Sequence, residues 1–231
     1  MPDIYADLSN QRVLVIGGGS RMGLAIAKLA AYQGAQVIIS GRSEDKLKKA
    51  VGEINQELAM YAADASNPDE IQALLENFQP IDHIVVTASS TEAKASSIPH
   101  TSPDIAQAAF KRLWISYNVL HFAPKHMSRN GSITLISGSS AKTPVKGYGV
   151  WGALHGSINA FISQAALELA PIRVNAVSPG GIGIRADRQL VEHAGQVEDI
   201  AQMVLAVIFN PMVTSAIIDV DGGERLGTWS G

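Results

Sequence analysis

The order of apolar segments is the feature that most constrains how this chain of 231 residues folds. Short apolar runs that suit buried strands alternate with longer segments whose apolar residues recur at helical spacing. The strand-like runs are residues 13–16, 36–40, a run ending near 63, 84–87, 133–136, 173–177 and 216–220, and the helical segments are 24–34, those opening at 43 and 68, 102 to about 127, 148–169 and 197–209. This alternation predicts an α/β fold, a doubly wound parallel sheet of about seven strands with helices on both faces. No repeat or linker divides residues 1–231, so we expect a single domain.

Composition and charge narrow the classes of protein to which the chain can belong. Hydrophobic residues make up 46% of it, which suffices for a buried core and is unlike a disordered chain. It contains no cysteine, so disulfides, iron–sulfur clusters, thiolate zinc sites and cysteine nucleophiles are excluded, and we expect no metal. The net charge of −3 gives no attraction for nucleic acid, and no apolar run approaches the roughly 18 residues that cross a bilayer. Residues 1–7 lack the regions of a signal peptide, so we expect a soluble cytoplasmic protein without membrane or nucleic-acid partners.

A glycine-rich turn follows the first strand, where residues 16–23 lead into the first helix. Positions without side chains allow a pyrophosphate to approach backbone N–H groups at a helix N-terminus, where the helix dipole favours anions. The strict GxGxxG pattern fails because Met22 occupies its sixth position, and a plain tight turn is the alternative. The place of the turn at the head of a parallel sheet favours a Rossmann-type dinucleotide site. The cofactor-binding residues expected here are Gly17, Gly19, Ser20, Arg21, Met22 and Gly23.

Further motifs resemble those of one enzyme family. The segments RVNAVSPG at residues 173–180 and DVDGG at residues 219–223 follow the family's RVNAVSPG and its C-terminal xVDGG. The family's TGxxxGxG loop falls on residues 16–23, with Gly17 and Gly23 kept and Arg21 at the middle glycine. On these residues the chain resembles the short-chain dehydrogenase/reductase (SDR) family over nearly its whole length. The resemblance implies further cofactor-binding residues, namely Asp64, Ala65, Thr87, Ala88, Ser89, Pro179, Gly180 and Ile182.

The end of the second strand bears on the choice of nicotinamide cofactor. Dinucleotide folds that use NAD place an acid there, which bonds the ribose 2′-hydroxyl. Here the strand ends in Ser40, Gly41 and Arg42, and a guanidinium pairs well with phosphate. Arg42 is therefore interpreted as the group that binds the 2′-phosphate of NADP, with Arg21 or Ser20 beside it, and an exposed arginine near a helix start is the alternative. We expect NADP (NADPH) as the cofactor.

The resemblance breaks at the catalytic positions. The family uses a serine and a tyrosine to bind the carbonyl, a lysine four residues later to lower the tyrosine pKa, and an asparagine on the fourth helix. The alignment places Gly138, Trp151 and His155 at the first three positions, and Arg112 at or beside the fourth. All four have therefore changed. Glycine offers no hydroxyl, and an indole N–H does not titrate in the useful range, so neither can act as the general acid.

A nonstandard catalytic site would draw on the residues that remain nearby, which are His155, Tyr148, Arg112 and Trp151. Trp151 is interpreted as a wall beside the nicotinamide or the substrate. His155 lies one turn later on the same helix face, and it could act as an acid, bind the nicotinamide ribose or be a satisfied histidine without a role. The hydroxyl of Tyr148 could reach the same cleft, or its ring could pack on a neighbour. Ser139 and Ser140 could replace the missing serine, with ordinary turn serines as the alternative.

Together these residues predict an NADP(H)-dependent oxidoreductase that transfers hydride to or from a small carbonyl or imine substrate with nonstandard acid–base groups. The alternative is a catalytically silent NADP-binding protein with a regulatory or scaffolding role, and a lyase or isomerase on the same fold is a third reading. Charged residues make up only 17% of the chain, against about 25% in a typical soluble domain. Together with two long mid-chain helices, which pair in many members of the resembled family, this deficit predicts a homodimer or homotetramer.

Overall fold

Seven parallel strands form one sheet in the computed structural model, which describes residues 7–54, 56–88, 96–183 and 189–227. The strands are β1 (Arg12–Ile16), β2 (Gln36–Gly41), β3 (Ala59–Ala62), β4 (Ile81–Val86), β5 (Met127–Ile136), β6 (Arg173–Pro179) and β7 (Ile217–Val220). Their order across the sheet is β3-β2-β1-β4-β5-β6-β7, and each neighbouring pair is parallel. The predicted doubly wound α/β sheet is thus confirmed.

Helices cover both faces of the sheet. They are α1 (Arg21–Tyr32), α2 (Glu44–Gly52), α3 (Pro68–Phe78), α4 (Pro103–Phe122), α5 (Gly149–Glu168) and α6 (Val197–Phe209). One face buries aliphatic side chains of α1 and α6, such as Ile26 and Val204, and the other buries those of α3, α4 and α5, such as Ile71, Val119 and Ile158. None of the helices in the described ranges is long and apolar enough to cross a membrane.

The direction in which the sheet grows reverses at β1. This strand pairs with β2 on one side and with β4 on the other. In open α/β sheets, ligands bind in the crevice outside the carboxyl ends of the strands at such a reversal. Gly17 and Thr87 follow β1 and β4 directly, and the backbone N–H of Thr87 donates to the carbonyl oxygen of Ile16 at 2.8 Å. The residues expected to hold a dinucleotide therefore begin at this crevice.

Local signals set most helix ends. The Ser43 side chain accepts the backbone N–H of Lys46 and caps α2, as predicted, and the side chain of Asn67 caps α3 in the same way. Gly34 follows α1 with φ +87°, a left-handed conformation that glycine adopts at no steric cost.

The expectation of one helix reaching about residue 127 is wrong at its end. Helix α4 ends at Phe122, a 3₁₀ turn spans Ala123–His126, and β5 begins at Met127. Pro124 lies in this turn and lacks the N–H that a continuing helix needs. The apolar run at residues 133–136 marks only the end of β5, because the exposed polar residues Arg129 and Asn130 interrupt the first half of the strand.

Candidate active site

The turn between β1 and α1 packs its backbone against the end of β4. Gly17 has φ +93°, and a Cβ added to it would lie 2.6 Å from the backbone nitrogen of Ala88. A Cβ added to Gly23 would overlap the carbonyl oxygen of Gly17. Both glycines are therefore required by close backbone contact, and residues 17–19 before α1 carry no side chains, which suits a pyrophosphate. Gly19 lies in the same turn, and Met22 packs against the aliphatic core beneath it.

Arg21 occupies the position of the family's middle glycine and keeps a left-handed conformation, with φ +50°. This conformation costs an L-residue roughly 1 kcal/mol, so the turn retains its shape around an arginine at an energetic cost. Ser20 precedes α1, and its side chain makes no capping hydrogen bond. Both residues are exposed beside the crevice, where an anionic ligand could contact them.

Arg42 and Asp64 lie near each other at the carboxyl ends of β2 and β3. Asp64 Oδ1 accepts hydrogen bonds from the backbone N and the Oγ of Ser66, at 2.9 and 2.7 Å. Burial acts to raise the pKa of Asp64, but the Ser66 bonds and the charge of Arg42 outweigh it and hold that pKa below its usual value. Asp64 is therefore ionised and fixed in place. Arg42 is exposed and makes no hydrogen bond or ion pair with another residue of the described ranges.

Thr87 and Ala88 extend from β4 beside the glycine turn, and the expected contact residue Ser89 lies outside the described residues. Ala65 lies on the other side of this crevice, directly after Asp64. Asn118 of α4 is buried and donates its side-chain amide to the carbonyl oxygen of Ala65 at 3.1 Å. Helix α4 thus fixes the loop that carries Asp64 and Ala65.

The C-terminal motif closes over the end of β6, where Pro179 and Gly180 lie. Glu224 is buried, and its Oε2 accepts a hydrogen bond from the backbone N–H of Gly181 at 3.1 Å. A Cβ added to Gly180 would lie 2.7 Å from both Asp221 Cβ and Glu224 Oε2. The two motifs therefore depend on each other. The absence of a side chain at Gly180 leaves space for Asp221 and Glu224, and Glu224 fixes the turn after β6. Ile182 follows this turn and packs against the core.

The residues that the sequence alignment placed at the catalytic positions lie near one another at the end of β5. Arg112, from α4, donates to the carbonyl oxygen of Ile136 and, from Nη1, to His155 Nε2 at 3.3 Å. On the other side of the ring, His155 Nδ1 lies 2.9 Å from Ser140 Oγ. A Cβ added to Gly138 would lie 2.5 Å from two atoms of the His155 ring. The ring thus fills the space into which a serine at position 138 would project.

Protonation states follow from this packing. Burial and then the charge of Arg112 lower the pKa of His155 to about 3, and burial lowers the pKa of Arg112 to about 10. At neutral pH the imidazole is therefore uncharged and the guanidinium is charged. A general acid near neutrality, one of the three roles considered for His155, does not fit this arrangement. The arrangement fits a histidine without a catalytic role, because both of its ring nitrogens are hydrogen-bonded within the protein.

Trp151 and Tyr148 lie at the start of α5. The Trp151 ring is partly buried against the core, with its centroid 6.4 Å from that of His155 and an interplanar angle of 35°. This position suits a wall of the cleft. Tyr148 precedes the first residue of α5 and is exposed. Its hydroxyl makes no hydrogen bond to any residue in the described part of the chain.

Comparison with known proteins identifies the family. A family model described as "Enoyl-(Acyl carrier protein) reductase" matches residues 18–224. The chain is 30% identical to Short-chain dehydrogenase/reductase ATR9 of Stachybotrys chlorohalonatus, over 95% of this chain and 98% of that protein. The chain belongs to the short-chain dehydrogenase/reductase family.

Other relatives agree with this SDR assignment. The chain is similar to Carbonyl reductase family member 4 of Xenopus laevis, with 30% identity over 93% of this chain and 98% of that one. It is also similar to the solved structure of MalC Reductase/Diels-Alderase from Malbranchea aurantiaca, with 25% identity, a TM-score of 0.86, and coverage of 95% of this chain and 97% of that one. The protein is therefore an oxidoreductase of the SDR type. Within the described ranges, no group of three or more histidines and acids is placed to hold a metal ion.

Three residues that support the SDR site were not expected from the sequence. They are Asn118, which holds Ala65, Glu224, which holds the turn after β6, and Ser137, whose Oγ donates to the carbonyl oxygen of His155 at 3.3 Å. Each acts on a backbone group that is distant in sequence. Only burial of a polar side chain could have drawn attention to them, and burial is not visible in a single sequence.

Proposed function

We propose that this SDR oxidoreductase transfers hydride between NADP(H) and a small carbonyl or imine substrate, using groups other than the family's serine, tyrosine and lysine. The observation that carries the proposal is the set of residues at the carboxyl ends of β1, β2 and β3. The glycines after β1, the fixed carboxylate of Asp64 and the exposed Arg42 all follow these strand ends. A relative named as a carbonyl reductase and a structural neighbour named as a reductase support the reaction class.

Arg42 supports NADP over NAD. It follows β2 directly, at the position where NAD-binding folds carry an acid for the ribose 2′-hydroxyl. An exposed guanidinium that makes no hydrogen bond or ion pair in the described ranges can pair bidentately with a phosphate. Arg21 and Ser20 are exposed at the neighbouring turn and add donors on the same side.

The chain's own residues position the reactants. When bound, the nicotinamide supplies or accepts the hydride. Gly17 and Gly23 admit the pyrophosphate to the start of α1, and Trp151 forms a wall that excludes water from one side of the cleft. Correct placement of a hydride donor and acceptor accounts for much of the rate of such a transfer, so loss of the family's tyrosine slows the reaction without forbidding it.

NADPH consumption with a panel of aldehydes, ketones, quinones and imines tests this proposal. We expect oxidation of NADPH by at least one class, and binding of NADPH at least tenfold tighter than NADH, a difference of about 1.4 kcal/mol. Arg42→Ala should remove most of that preference. Arg129→Ala should preserve it, because this exposed arginine lies near the amino end of β5, whereas Arg42 follows the carboxyl end of β2.

Two outcomes would contradict the proposal in different ways. Equal affinities of the unmutated protein for NADPH and NADH would refute the role of Arg42. Micromolar binding of NADPH with no oxidation by any member of the panel would favour the catalytically silent NADP-binding protein. That alternative rests on Gly138, Trp151 and His155, which stand where the resembled family has its serine, tyrosine and lysine.

We also propose that α4 and α5 pack against a second copy of the chain. Trp114 and Tyr117 on α4 are 58% and 41% exposed, and Leu167 on α5 is 77% exposed. The Trp114 and Tyr117 rings contact each other edge to face, with centroids 6.0 Å apart. Large apolar side chains that lie together at the surface mark interaction sites, and most oligomers are symmetric and use the same patch twice.

A homodimer or homotetramer is the expected result of light scattering at micromolar concentration. Trp114→Glu should shift the population towards monomer, because a charge is costly to bury in a closed interface. Tyr32→Glu is the matched control, since Tyr32 is 78% exposed at the end of α1, away from this face, and should leave the assembly unchanged. A monomeric unmutated protein would refute the proposal.

A further inference from the structure

The hydrogen bonds around His155 form a chain in which each group donates to the next, from Arg112 through His155 to Ser140. A guanidinium only donates, so His155 Nε2 accepts from Arg112 and the neutral ring carries its proton on Nδ1. That Nδ1–H donates to Ser140 Oγ, 2.9 Å away. Ser140 thus accepts at its oxygen and keeps its own O–H, and its Oγ makes no second hydrogen bond to the residues that the structure describes. The chain of bonds ends in one unused hydroxyl proton.

Ser140 is placed beside the position of the family's catalytic serine. It lies in the 3₁₀ turn Ser139–Ala141, which begins directly after Gly138. The turn is held against α5, since a Cβ added to Gly152 would lie 2.9 Å from the carbonyl oxygen of Ser140. Ser140 is only partly buried, unlike Ser137 at the end of β5.

We propose that Ser140 donates this O–H to the carbonyl oxygen of the substrate, with Arg112 and His155 as positioning residues that fix its direction. The inference rests on the proposed oxidoreductase function and narrows its substrate to a neutral carbonyl compound. As hydride from the reduced nicotinamide forms the new C–H bond, the C=O π electron pair moves to oxygen. Ser140 stabilises the charge on that oxygen, and water supplies the proton that completes the alcohol.

The charge of Arg112 favours an oxygen that becomes negative. Arg112 bonds a carbonyl oxygen and a neutral imidazole, and it forms no ion pair with a carboxylate of the described ranges. Its charge polarises His155 and, through it, the Ser140 hydroxyl, which strengthens donation at the end of the chain.

A protonated imine is the substrate that this arrangement disfavours. It would bring a second positive charge into the cleft that contains Arg112, where screening by water is reduced. Its N–H donates a hydrogen bond and leaves no lone pair for Ser140 to bind. A neutral ketone or aldehyde meets both requirements.

The test compares Ser140→Ala, Ser140→Thr and Ser157→Ala in the full chain with NADPH. The substrates are the carbonyl compound that the unmutated protein reduces best and the N-methyl dihydroisoquinolinium cation, whose nitrogen has no lone pair. We expect Ser140→Ala to lower kcat for the carbonyl on the order of 10²-fold with NADPH affinity unchanged, and Ser140→Thr to retain most activity. Ser157→Ala should behave as the unmutated protein, because that hydroxyl donates within α5 to the carbonyl oxygen of Ala153 at 2.9 Å.

Each failure has a distinct meaning. An unchanged kcat in Ser140→Ala, with the unmutated protein active on the carbonyl, would overturn the role of Ser140 and leave the oxidoreductase function in place. Faster reduction of the iminium cation than of every carbonyl compound would overturn the substrate class. Bound NADPH with no turnover of either substrate would refute the proposed function, and this inference with it.

Discussion

Gly23→Ala is expected to lower the free energy of unfolding by about 3 kcal/mol, the upper end of overpacking costs, and to abolish measurable NADPH binding. The added Cβ would overlap the carbonyl oxygen of Gly17 and lie 2.6 Å from Thr87 Oγ1. The first of these is backbone, so relief requires the turn to move away from the start of α1. That movement would disrupt the surface on which the pyrophosphate is expected to lie. Urea denaturation and NADPH titration measure the two effects.

Gly156→Ala provides the matched control for this variant. Gly156 lies within α5, and a Cβ added there meets no atom within 4 Å. The same substitution should therefore stabilise the protein by about 0.5–1 kcal/mol, because alanine loses less conformational freedom in a helix. NADPH affinity in Gly23→Ala equal to that of the unmutated protein would contradict the role given to the turn.

Gly138→Ser, which restores the family's residue, is expected to destabilise the protein by about 2 kcal/mol, within the range of overpacking costs. Its Cβ would lie 2.5 Å from Cε1 and Nδ1 of His155. The ring cannot turn aside freely, because Arg112 bonds one of its nitrogens and Ser140 bonds the other. Urea denaturation of the variant and of the unmutated protein measures this decrease in the free energy of unfolding.

His155→Ala in the same chain is expected to relieve that cost. Removal of the imidazole opens the space beside position 138, so the double variant should be more stable than the sum of the single variants by roughly 1–2 kcal/mol. Additive effects would show that a serine fits beside His155. They would also contradict the steric conflict between a serine at position 138 and the His155 ring.

The sheet was predictable from the sequence where its strands are buried on both faces. Residues 84–86 of β4 are buried and form a continuous apolar run, and β6 is buried throughout and alternates apolar residues with the polar Arg173 and Asn175. The first half of β5 was not predictable, because Arg129 and Asn130 are exposed and interrupt the apolar pattern. The end of α4 depended on Pro124, whose effect is local and could have been anticipated.

The cofactor half and the catalytic half of the site also differed in how far the sequence predicted them. The cofactor half depends on glycines and on short segments adjacent to strand ends, so Gly17, Gly23 and Arg42 could be selected from order along the chain. The catalytic half depends on bonds between α4, α5 and the turn after β5, such as that from Arg112 to His155. The lowered pKa of His155 arises from the burial of its ring and from the charge of Arg112, and a single sequence reveals neither.

Deuterium transfer from labelled NADPH tests the central claim most directly. The protein is incubated with each aldehyde, ketone and imine of the panel and with NADPH that carries deuterium at both C4 positions, and product masses are measured. The account predicts a product that contains one deuterium on the former carbonyl or imine carbon. Cofactor that binds but keeps its full C4 label with every member of the panel, or products formed without deuterium, would contradict it.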